Sequence, residues 1–74
     1  MTQTEKTAEK ILAFLRAQKS RGASHADLGP DDVAQLIGRR NHRLCADALE
    51  LAARRIPSGP VPGGRAEELR FRLQ

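Results

Sequence analysis

Three stretches of helical periodicity, then a Pro/Gly-rich break and a strictly alternating segment, predict a mainly α fold with a small C-terminal β-hairpin, in the α+β class. The helices are expected at about residues 4–20, 30–38 and 41–54, and the hairpin at about 55–73, within one domain spanning 1–74. Seventy-four residues lie near the lower limit for a self-sufficient core. With no Trp or Tyr and only two Phe, that core must be built from Leu, Ile, Val and Ala.

The first helix has a start signal in Thr2-Gln3-Thr4-Glu5, where Thr2 can cap and Glu5 can close a capping box. Ala8, Ile11, Leu12 and Leu15 form its buried stripe, with Phe14 on the flank. Glu5 and Glu9 near its start, and Lys19 and Arg21 near its end, suit the helix dipole. Gly22 ends it. Residues 23–28 are compatible with an extended connector, a short strand or a single helical turn, with Leu28 as the anchor to the core.

Gly29-Pro30-Asp31-Asp32 starts the second helix, because Pro fits the first helical position and the two Asp sit against the positive helix end. Val33, Leu36 and Ile37 bury one face of it, and Gly38 suits a C-terminal residue with positive φ. Asn41 then caps the third helix. On that helix Leu44, Ala48, Leu51 and Ala52 share one face, and Cys45 beside them is a small core residue. The solvent face carries Arg40, Arg43, Asp47, Glu50 and Arg54. Residues 56–64 hold three Pro and three Gly and can be neither helix nor central strand. Beyond them Leu69, Phe71 and Leu73 alternate with Glu68, Arg70 and Arg72, a strand pattern. A lone strand needs a partner, and the nearest one is Arg54-Arg55-Ile56-Pro57.

Val33, Ala34, Ile37 and Gly38, followed by Leu44, are spaced as in a helix-turn-helix, and this stretch resembles that family. Three helices followed by a hairpin, from about Thr4 to Leu73, resemble the winged helix-turn-helix in particular. The resemblance implies that the third helix reads DNA and that the wing touches a neighbouring minor groove or backbone. Residue by residue it implicates Arg39, Arg40, His42 and Arg43 around the start of that helix and Arg65 beside the wing tip, and Asn41 and Arg54 on the same helix are further candidate DNA contacts.

The charge distribution points the same way. Residues 1–38 carry five basic and five acidic side chains, whereas residues 39–74 carry eight Arg against four acidic residues, so the whole formal charge of +4 lies from the turn onward. Arg presents a planar fork that suits phosphate and guanine edges. Other classes are disfavoured. One cysteine excludes an internal disulfide, and no apolar run approaches the roughly 20 residues of a membrane span. The polar N-terminus lacks a signal-peptide pattern, and a cytoplasmic protein is expected. His42 and Cys45 stand three residues apart, but only His25 could join them, so no tetrahedral metal set and no other cofactor is expected. No nucleophile motif is recognisable, and an enzyme is not expected.

The expected function is a small basic transcriptional regulator of a bacterium or phage, binding double-stranded DNA through the third helix and wing, as a homodimer on a two-fold-related site. The alternative is a protein-interaction adaptor on the same fold, binding RNA polymerase or another nucleic-acid machine. Asp47 and Glu50 on the expected reading face favour the alternative.

Overall fold

In a computed structural model describing Met1–Gln74, the capping box closes as its spacing requires. Thr2 Oγ1 accepts from the Glu5 N–H at 3.1 Å, and Glu5 Oε1 accepts from the Thr2 N–H at 3.0 Å. Helix α1 follows over Gln3–Ser20. A short strand β1 covers His25–Leu28, helix α2 Pro30–Ile37 and helix α3 His42–Arg54. Strands β2, Val61–Pro62, and β3, Leu69–Arg72, complete the chain. Gly29 N–H donates to Asp32 Oδ2 at 2.8 Å, which gives Asp32 a structural task at the start of α2. Gly38 ends α2 at φ 69°, in the left-handed region that favours glycine. Asn41 caps α3, its Oδ1 accepting from the Leu44 N–H at 3.1 Å.

The fold class is α+β, with three helices and a three-stranded antiparallel sheet of order β1-β3-β2. The sheet corrects the expected C-terminal hairpin. β3 does not pair with residues 54–57. It lies between β1, with Ala26 opposite Phe71, and β2, with Val61 opposite Arg70. The reason is that the backbone of 54–57 is already used. Arg55 N–H donates to Ala52 O, and Ile56 N–H to Ala53 O, closing the last turn of α3. Of the three conformations open to residues 23–28, a strand forms across His25–Leu28. Arg70 and Arg72 therefore project from the central strand, not from an edge.

The core gathers Ala8, Ile11 and Leu15 from α1, Leu28 from β1, Val33 from α2, Cys45, Ala48, Leu49 and Ala52 from α3, and Phe71 from β3. Phe71 is completely buried, and a fully buried Phe side chain stabilises by about 1.5–3 kcal/mol relative to an exposed one. Three details differ from the periodicity. On α3 the buried face is turned toward Cys45 and Leu49, leaving Leu44 and Leu51 half-buried. On α2 Leu36 is exposed, because Val33 alone reaches the centre and Ile37 packs at the margin. Glu68, expected on the outward face of the last strand, is buried in the turn before it.

Candidate nucleic-acid interface

Gly38 and Asn41 bracket a two-residue link, so Arg39 and Arg40 are carried out into solvent between the end of α2 and the start of α3. Neither takes part in any of the ion pairs of the molecule. His42 and Arg43 follow on the first turn of α3, also exposed. The four side chains and Asn41 thus form one continuous cationic end, beside the N–H groups at the positive end of the α3 dipole. Arg39, Arg40, Asn41 and His42, together with α2, border an open notch of about 710 Å³.

The other two predicted residues do not line this notch. Arg54 is at the far end of α3, twelve residues and so about 18 Å from His42 along the axis. It makes no ion pair and lines a second groove, about 610 Å³, between α3 and the β2–β3 arm. Arg65 lines the same groove, but it does not stand free at a wing tip. Its Nε and Nη2 donate to Glu68 Oε2 at 3.1 and 2.9 Å, and Nη2 lies 3.9 Å from Asp32. Bonding to Glu68 first, and then its charge, hold the Arg65 guanidinium protonated even more firmly than usual.

Two exposed carboxylates, Glu67 and Asp47, stand close to these side chains. His42 Nε2 lies 3.2 Å from Glu67 Oε2, a geometry in which the ring N–H donates to the carboxylate, and this contact joins α3 to the turn before β3. Arg43 Nε lies 3.8 Å from Asp47 Oδ2, one helical turn on. Glu68 accepts from the Gly64 N–H at 3.0 Å, so one buried carboxylate organises the whole turn. The reach of Glu67 to His42 left no signal, because it depends on how the arm folds back. Cys45 is buried while His42 is exposed, so the two do not converge, and no group of three or more His, Cys, Asp or Glu side chains is placed to hold a metal ion. No helix is long and apolar enough to cross a membrane.

The remaining ion pair, Arg70 with Asp27 at 2.8 and 3.1 Å, ties β3 to β1. Hydrogen bonding from Arg70 holds the Asp27 carboxyl below its ordinary range. Comparison with protein-family models, with curated proteins and with solved structures found no significant match.

Proposed function

We propose that the chain is a winged helix-turn-helix module that binds double-stranded DNA and serves as a small transcriptional regulator in the bacterial or phage-infected cytoplasm. One observation carries this reading. The Gly38–Asn41 link sets Arg39, Arg40, His42 and Arg43 on one exposed end of α3. The element order, with β2 and β3 following α3 and the connecting arm reaching that same helix end at His42, supports it. Affinity then comes chiefly from phosphate neutralisation by Arg39 and Arg40, with Arg43 and His42 directed at base edges in the major groove. A domain this small makes few base contacts, so a homodimer on a two-fold-related site is part of the proposal.

The test is fluorescence anisotropy with a random-sequence duplex over a range of salt. Arg39→Ala combined with Arg40→Ala should weaken binding at every salt concentration. It should also lower the slope of log K against log salt by about 1.8, because each lost phosphate contact removes about 0.9. An unchanged slope removes both residues from the interface, and no binding at low salt removes DNA as the ligand.

A second reading rests on the groove between α3 and the β2–β3 arm. Its lining includes Leu49, Ala53, Pro60, Pro62 and Leu69, with Glu50, Glu67 and Glu68 and with Arg54 and Arg65. Apolar walls with charges of both signs suit a protein segment better than a phosphate backbone. An adaptor for RNA polymerase or another nucleic-acid machine would bind there, with a weaker salt dependence. A complex retained after nuclease treatment of a cell extract would favour it.

A further inference from the structure

The cationic end of α3 is divided between free and occupied charges. Arg39 and Arg40 are unpaired, whereas His42 is held by Glu67 and Arg43 faces Asp47. Both carboxylates are exposed and neither closes a cap or a turn, unlike Glu68, whose carboxylate holds the Gly64 and Arg65 amides together. Glu67 has a further peculiarity. Its backbone is left-handed, φ 62°, and it is the one residue other than glycine in that region. Glycine or asparagine takes that conformation more readily, so a Glu there is a local strain. The one side-chain bond its carboxylate makes is to His42.

We infer that Glu67 and Asp47 act as built-in stand-ins for phosphate, occupying His42 and Arg43 in the free protein, so that DNA must displace them. This rests on the DNA-binding reading and concerns how that site is restrained. The Glu67 carboxylate, 3.2 Å from His42 Nε2, fills the place where a phosphate oxygen would be accepted, and the Asp47 carboxylate, 3.8 Å from Arg43 Nε and too far for a hydrogen bond, lowers the positive potential there. Displacing it leaves a carboxylate beside the DNA that repels phosphate and gathers its own counterions. Random DNA, which offers charge alone, recovers little for this exchange. A sequence that also hydrogen-bonds Arg43 and His42 through its base edges recovers more. The two carboxylates therefore suppress non-specific binding more than specific binding, which raises discrimination at some loss of affinity.

The test uses Glu67→Gln, Asp47→Asn and the pair together, on the full chain, with a short fluorescent duplex of random sequence at low salt. Glu9→Gln is the charge-matched control, since Glu9 is exposed on α1 and makes no ion pair. Each of the two changes should tighten random-duplex binding about two- to fivefold beyond the control, the range that corresponds to releasing an exposed ion pair. The salt slope should steepen by about 0.9 where Asp47→Asn releases Arg43. If wild type binds and the double variant binds no more tightly than Glu9→Gln, the restraint is overturned and the DNA reading stands. If neither wild type nor any variant binds the duplex, the DNA reading falls and the restraint with it.

Discussion

Glu68→Ala is the substitution that most directly probes how the arm beside α3 is held. The carboxylate accepts from the Gly64 N–H at 3.0 Å, from the Arg65 N–H at 3.4 Å and from the Arg65 guanidinium at 3.1 and 2.9 Å. The short amide bond to a charged acceptor contributes about 1.5 kcal/mol, and the long one about 0.5 kcal/mol. The guanidinium pair adds no more than about 1 kcal/mol, because Arg65 is largely exposed and rehydrates when released. The loss is then about 2–3 kcal/mol. A domain of this size is stable by about 4–11 kcal/mol, so the protein should remain folded at room temperature. Its melting temperature, followed by far-ultraviolet circular dichroism, should fall by roughly 10–20 °C. Amide exchange should rise most at Gly64 and Arg65, with Ile11 and Ala48 still protected. A melting temperature within about 3 °C of wild type would refute the assignment of Glu68 as the organiser of this turn.

Other changes bear on the sheet and the helix ends. Phe71→Ala empties the largest core position and should cost about 3–5 kcal/mol, read as a lowered urea midpoint. Asp27 is held below its ordinary carboxyl value of 3.8, so its contribution is full above that value and is lost as pH falls through its lowered value in the fold. Asp27→Asn should therefore flatten the acid limb of a stability-against-pH curve, and an unchanged limb would show that Arg70 does not stabilise the ionised form. Gly38→Ala meets no neighbour within 4 Å, so its cost is the left-handed backbone alone, about 1–2 kcal/mol, read as a lower urea midpoint with unchanged slope.

The helices were legible because their ends are set locally. Thr2 with Glu5, Pro30 after Gly29, Gly38 and Asn41 each satisfy backbone groups within a few residues, and spacing alone reveals them. The cationic end of α3 was legible for the same reason, since Arg39 to Arg43 are contiguous. The sheet was not. Asp27 and Arg70 meet across 43 residues, and no local pattern links His25–Leu28 to Leu69–Arg72. The buried face of α3 was misplaced by a fraction of a turn, because 44/48/51/52 and 45/48/49/52 are both acceptable helical stripes. Where α1 and α2 lie decides between them. Glu68 followed the outward alternation on paper, but the turn before β3 folds its side chain inward.

The central place of β3 has a kinetic consequence. Neither β1 nor β2 has another strand to pair with, so the sheet cannot begin until residues 69–72 are available. During synthesis α1, α2 and α3 emerge first and can dock on one another, but Phe71 is absent from their common centre. A nascent or truncated chain stopping before Leu69 lacks Phe71 from the core that includes Ile11, Val33 and Leu49, and leaves β1 unpaired. Such a chain offers proteases and chaperones an exposed apolar surface until a single four-residue segment closes it.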